Sequence, residues 1–499
     1  MSRLRNAFTT NDVRGENGMP TNSTSGSYLL DLFAKKGAAR TEPVLSLVDL
    51  FKKGFQEDNL LATKFMFYNR DIRGGQGERR SFRAFLKWMA VNHPDIVKKN
   101  IHLIPEYGRW DDLFELFDTS LEEYMMGFVW RNLQDNPEVS GLVAKWLPRE
   151  GKKLHSFAMK FMSAWELSPK QYRELLAGNT HVVETLMCQK KWGDIKYEQV
   201  PSVSMKNYRK AFSKHDPDGF VAYLGDVKKG VKTIHATTLF PADLVEEAFK
   251  YIQFTDQMRG TGGTSMWKNK YRMLDVPQTD RDALNAQWKA LPNWMVDGKS
   301  ILPICDESRS MSMFGGKPSG LSAAVATTIY VAERNPSIFH NEYITFSKTP
   351  AFRTIESDDF IQNVYDVADT QWQENTDLAA VFTLVLQRAV GAKLPPEEMP
   401  GTLLIISDMQ FDTADSGWNQ SALQMIDKKY ESAGYSRPQI VFWNVRDSIG
   451  VAAKSDSKGV ALVSGYSPSI MKQLCGTIET PMDIMLKTLN SERYSAVTL

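Results

Sequence analysis

Three short stretches in the second half of the chain combine residue types that hold a hard metal ion. Asp306-Glu307-Ser308-Arg309-Ser310 places one carboxylate and two hydroxyls within five residues. Thr376-Asp377 precedes an apolar helical pattern, and Asp408 closes the run Leu403 to Ser407. Oxygen donors of this kind suit Mg²⁺ or Mn²⁺ rather than zinc. A D-x-S-x-S loop alone occurs by chance in many proteins; the ordered set of three pieces is far more specific. The competing reading is a hydrogen-bonded loop cap without metal.

A second group of residues carries charge. Residues 51–100 hold 11 Lys and Arg against 5 Asp and Glu, centred on Arg70-Asp71-Ile72-Arg73-Gly74-Gly75-Gln76-Gly77-Glu78-Arg79-Arg80, with Arg83 a turn further on. Glycines allow backbone N–H groups to approach an anion, a following helix N-terminus favours negative charge, and Arg forks match phosphate oxygens. On charge alone, Arg70, Arg73, Arg79, Arg80 and Arg83 are candidate contacts to a nucleic-acid backbone, continued by Lys206, Arg209 and Lys210. The alternative, the commoner one for an isolated basic loop, is a turn whose arginines pair with local acids.

Other motifs carry less. The glycine run Gly260-Thr261-Gly262-Gly263 neither follows a strand nor contains the G-K-[ST] step, so it reads as a connection. The seven histidines are dispersed, and no nucleophile is paired with a base, so no enzymatic activity is expected. Cys305, inside an apolar run, and Trp110, Trp146, Trp165 and Trp192 read as packing residues.

The elements that must position these groups fall into two classes. From about Pro43 to Met295 the apolar spacing is helical, as in Val44, Leu47, Val48, Phe51 and in Phe82, Phe85, Leu86, Met89. Breakers such as Asn92-His93-Pro94, Asn136-Pro137, Leu167-Ser168-Pro169 and Asp216-Pro217-Asp218 divide the helices at spacings that suit stacked antiparallel pairs. Near Gly298 the pattern changes. Strands are expected at 299–305, 343–346, 402–407, 439–444 and 460–463, with helices at 319–334, 378–390 and 419–433 between them. Strands alternating with helices give a doubly wound α/β domain, in which ligands sit beyond the carboxyl ends of the strands. The expected organisation is a flexible or docked segment 1–42, a helical repeat over 43–297 and the α/β domain over 298–499.

The chain of 499 residues has a formal net charge of +1, but the total conceals two opposed parts. Residues 1–300 hold 44 Lys and Arg against 36 Asp and Glu, a net of +8, and residues 301–499 hold 16 against 23, a net of −7. Three separated cysteines form neither a disulfide framework nor a zinc site. No apolar run approaches the roughly 18 residues of a membrane span, and the N-terminus lacks the apolar core of a signal peptide. A cytoplasmic protein without membrane attachment is expected.

From Gly298 onward the ordered metal motif resembles that of von Willebrand factor type A domains, with their metal-ion-dependent adhesion site (MIDAS). That resemblance implies Asp306, Ser308, Ser310, Thr376 and Asp408 as ligands of one Mg²⁺ or Mn²⁺, with a position left open for an acidic group of a protein partner. A helical repeat followed by such a domain resembles the Ro autoantigen family and its TROVE module. The resemblance is carried by DALNAQWKALPNWMVDGKSILPICDESRSM, ENTDLAAVF, LLIISDMQFD and VALVSGYSPSIM, and upstream by RDIRGGQGER and EYGRWDDLFELF, as in an uncharacterised Ro-like branch. It implies HEAT-like helices closing into a ring, a Rossmann-like A domain, and binding of small structured RNA or single-stranded RNA ends in a ribonucleoprotein. An adaptor that captures a partner carboxylate without RNA is the alternative.

Overall fold

The computed structural model describes residues 13–14, 20–35, 43–254, 271–295, 300–306, 311, 318–346, 349–369, 378–408, 420–445, 453, 455–474, 478 and 480–499. The chain forms two compact units: one comprises residues 1–43, 201–209 and 224–488, the other 44–200, 210–223 and 489–499.

The first unit is built on a sheet. Two small antiparallel ladders, β1 (Val13–Arg14) with β2 (Pro20–Thr21) and β3 (Ile252–Phe254) with β4 (Tyr271–Met273), stand apart from it. The main sheet has six strands: β5 (Ile301–Asp306), β6 (Glu342–Phe346), β7 (Phe352–Thr354), β8 (Thr402–Ser407), β9 (Gln439–Asn444) and β10 (Val460–Ser464). Their spatial order is β10-β9-β8-β5-β6-β7, parallel except for the antiparallel edge strand β7. Every residue of β5 and β8 is buried, as strands covered on both faces must be. On one face Leu302, Ile304, Leu403, Ile405, Ile440 and Phe442 share a core cluster with Val381 and Phe382 of the helix Leu378–Ala392 and with Ile426 and Tyr430 of the helix Gln420–Ser432. The helix Gly320–Arg334 packs on β5, β6 and β8 outside that cluster and so covers the other face.

The strand expectations coincide with β8 and β9 residue for residue and fall within two residues of β5, β6 and β10. Within residues 298–499 two elements fall outside the expectations: β7, a three-residue edge strand with two exposed positions, and the helix Phe360–Ala368. The ladder β3–β4 also interrupts a stretch read as helical throughout.

The segment read as flexible or docked is docked over its described helix. Tyr28–Lys35 buries Leu29, Leu30, Leu32 and Phe33, and the Phe33 carbonyl accepts a 2.7 Å hydrogen bond from Ser464 Oγ at the end of β10. At its N-terminus Asp31 accepts from the backbone of Ser25 at 2.8 Å and from the Thr24 hydroxyl at 2.5 Å.

The second unit is helical among its described residues. Pro94, Pro137, Pro169 and Pro217 each open a helix, because proline lacks only the N–H that a first helical residue leaves unpaired. The helix Val44–Glu57 buries Leu47, Phe51 and Phe55, and Phe51 stacks on Phe85 of the helix Arg79–Asn92 with centroids 4.4 Å apart. The helix Asn59–Arg70 is buried along most of its length and is capped by Asp58, which accepts from Leu61 N at 2.8 Å.

Candidate functional site

Each parallel strand of the sheet ends, in register, on a defined residue. Ser407 of β8 lies opposite Asn444 of β9, and Asn444 opposite Ser464 of β10. Cys305 pairs with Ile406, which brings Asp306 beside Ser407. The result is a row of four polar side chains, Asp306, Ser407, Asn444 and Ser464, at the carboxyl ends of four adjacent strands, and all four are buried. They have the same strand parity as Ile304, Ile405, Phe442 and Leu462, so the row closes the apolar cluster on that face.

Within the row Ser407 Oγ donates to Asp306 Oδ2 at 2.5 Å. Asp408 follows β8 directly and is fully buried at 0% exposure, against 1% for Asp306. Two carboxylates therefore end the two central strands, β5 and β8, which flank the point where the strand order reverses; this is where open α/β sheets bind ligands. Ionised carboxylates at such depth require compensating charge or hydrogen bonds. Hydroxyls and carboxylates together form an oxygen donor set, which fits Mg²⁺ or Mn²⁺ by chemistry. Among the described residues no three His, Cys, Asp or Glu gather as a metal group. Ser308, Ser310 and Thr376, and with them the run at 260–263, lie outside the described residues. Cys305 is fully buried in β5, as a packing residue would be.

Ser407, Asn444 and Ser464 were not singled out in the sequence. The available signal was the terminal polar residue of each apolar run, TLLIIS, QIVFWN and VALVS, which only strand register aligns into one row.

In the basic loop, two of the arginines read as candidate nucleic-acid contacts are paired with acids instead. Arg70 is buried at 2% exposure, with Nε 2.7 Å from Asp112 Oδ2, and it presents no charge to a polyanion. Arg83 reaches Asp112 Oδ1 at 2.7 Å and Asp111 Oδ2 at 2.9 Å. Arg209 is likewise buried, between Glu247 at 2.8 Å and Asp280 at 2.9 Å. Both Arg70 and Arg209 thus leave the set of surface contacts, because each neutralises buried carboxylates. Lys206 lies 3.3 Å from Asp243. Arg73, Arg79, Arg80 and Lys210 are exposed. Although its side chain reaches solvent, Arg79 is partly desolvated by its neighbours, and this, followed by repulsion from Arg109 and Arg83, lowers its pKa.

Nor do the loop glycines present a cradle of N–H groups. Gly75 N donates to Asp71 O, Gln76 N to Tyr68 O, Gly77 N to Asp71 O and Glu78 N to Asn69 O, so these donors are satisfied by the chain itself. A Cβ at Gly75 would collide with the Tyr68 carbonyl, and one at Gly74 would stand 2.5 Å from Arg493 Nε. Gly77, at φ +69°, takes the left-handed conformation that glycine tolerates. The glycines allow the end of the chain to approach closely. Asp71, at 0% side-chain exposure, pairs with Arg493 through both Nε and NH2 and accepts from Tyr494 Oη at 3.0 Å. The hydrogen bond to Asp71 raises the Arg493 pKa, and burial holds Tyr494 well above the usual tyrosine range.

No described helix is long and apolar enough to cross a membrane. Residues 300–492 match a family model described as Domain of unknown function (DUF7788). An uncharacterised protein of Acanthamoeba polyphaga mimivirus is 26% identical over 527 aligned positions, covering 95% of this chain and 86% of the viral one. Residues 15–140 and 148–298, together more than half of the chain, match the model described as Domain of unknown function (DUF2828), and the chain belongs to that family.

Proposed function

We propose that this chain is a non-enzymatic binding scaffold whose α/β unit uses a divalent cation at the carboxyl ends of β5 and β8 to capture an acidic group. The observation that carries the reading is the pair of buried aspartates, Asp306 and Asp408, at the ends of the two central strands. Support for a von Willebrand A-like fold comes from the strand order with its single antiparallel edge strand. Asp306, Ser308, Ser310, Thr376 and Asp408 would hold Mg²⁺ or Mn²⁺, and the bound cation would supply an attachment point for a partner carboxylate. Asp306→Asn, compared with the wild type in Mg²⁺ and in EDTA, tests this. Partner capture should disappear with the variant and with EDTA while circular dichroism stays unchanged; capture that survives both contradicts the reading.

RNA binding by HEAT-like, TROVE-like helices in a ribonucleoprotein is the second reading. It is favoured by the exposed Arg73, Arg79 and Arg80 and by the +8 net charge of residues 1–300. Filter binding of a structured RNA should weaken steeply with salt. No binding at low salt would leave the scaffold to proteins alone.

A further inference from the structure

A groove of about 580 Å³ runs between the helices Val44–Glu57 and Arg79–Asn92 in the helical unit. Its walls are aliphatic, from Val44 and Val48 on one side and Ala84 and Val91 on the other, and Val91 is 62% exposed. Arg80, Arg83, Lys87 and Glu115 line its rim. Arg83 is already paired with Asp111, Asp112 and Glu115, and Lys87 Nζ donates one hydrogen bond to the Phe117 carbonyl at 2.6 Å, so Arg80 and Lys87 are the two cations it offers a partner. Arg80 and Lys87 lie seven residues apart on one helix, two turns or about 10 Å along its axis.

From this combination we infer that the groove is a docking site for an acidic amphipathic helix of a protein partner. Aliphatic walls take apolar anchors at i, i+3, i+4 and i+7, and carboxylates two turns apart meet the basic rim. Single-stranded nucleic acid would need open aromatic faces for its bases. The one groove aromatic, Trp88, is already packed edge-on against Phe51 and Phe55 and tilted against His93. The chain's own residues 36–42, which precede the groove, carry Lys36 and Arg40 against Glu42 and so lack the complementary charge. This site is separate from the cation site and does not depend on RNA binding.

The test is fluorescence anisotropy of the full chain with a labelled peptide of about 14 residues, with Leu at helical spacing and Glu flanking it. Controls are a scrambled peptide, its Lys-for-Glu counterpart and a single-stranded uridylate 12-mer. The acidic helix should bind about tenfold more tightly than either control peptide, and Val91→Asp or Lys87→Glu should each reduce its affinity about tenfold. Both positions are at the groove surface, and a melting curve for each variant verifies folding. Absence of peptide binding, equal binding of the scrambled peptide, or uridylate binding that both variants abolish would overturn the proposal. Loss of RNA binding elsewhere on the chain would leave the peptide result intact.

Discussion

At the scale of single residues, buried charge determines what the basic loop can do. Asp71 has no solvent access and rests on Arg493, Tyr494 and the Arg73 backbone N–H at 2.9 Å. Removing one member of such a group leaves the others unpaired, so Arg493→Ala should cost about 3 kcal/mol in urea unfolding. Lys at 493 should recover only part of it, because an ammonium cannot make the paired contact. Glu333 gives a pH-dependent counterpart. Burial, the largest cause, raises its pKa despite the 2.7 Å hydrogen bond from Trp288 Nε1. A raised carboxylate pKa favours the protonated folded state, so its contribution is most favourable below the usual glutamate pKa and is lost as pH rises through the raised value. Glu333→Gln should therefore stabilise the protein at neutral pH and have little effect near pH 4, measured as the difference in melting temperature at the two pH values. Asp112, the acid that pairs with Arg70 and Arg83, lies 42 and 29 positions along the chain from them, so no local pattern points to it. The alternative reading, arginines paired with acids, holds for Arg70 and Arg83, but the acids are distant in sequence and Arg70 is buried rather than solvated.

At the scale of elements, burial made the strands legible, though not the largely buried helix Phe360–Ala368. β8 and β9 could be read to the residue because parallel strands covered on both faces are continuous apolar runs bounded by polar residues. β7 is short, exposed and at an edge, so nothing in its composition distinguishes it from loop. The position of residues 489–499 could not be read at all. They belong to the helical unit, where Lys64 Nζ reaches Asn490 at 2.9 Å, Tyr107 Oη reaches the Arg493 carbonyl at 2.5 Å and Asn100 Nδ2 reaches the Thr498 carbonyl at 2.6 Å. These partners lie some four hundred positions away, beyond any periodicity argument. Deleting residues 489–499 should lower amide-exchange protection in the helix Asn59–Arg70 while β8 and β9 keep theirs. Equal loss in both units would show that the segment is not local to the helical one.

At the scale of the whole molecule, the near-neutral total charge divides into two opposed parts that answer to different reagents. Salt should weaken polyanion binding by the basic part, whereas chelation should act on the acidic part that holds Asp306 and Asp408. A titration of each reagent against each binding activity separates them. The most direct measurement of the central claim is the melting temperature of the wild type and of Asp306→Asn, each in EDTA and in millimolar Mg²⁺. A cation held by the native state alone raises stability by mass action, and two buried aspartates without it carry a desolvation cost. The account predicts that Mg²⁺ raises the wild-type melting temperature and that Asp306→Asn melts no lower than the wild type in EDTA and does not respond to Mg²⁺. A wild type insensitive to Mg²⁺, or a variant that responds as fully as the wild type, would contradict it.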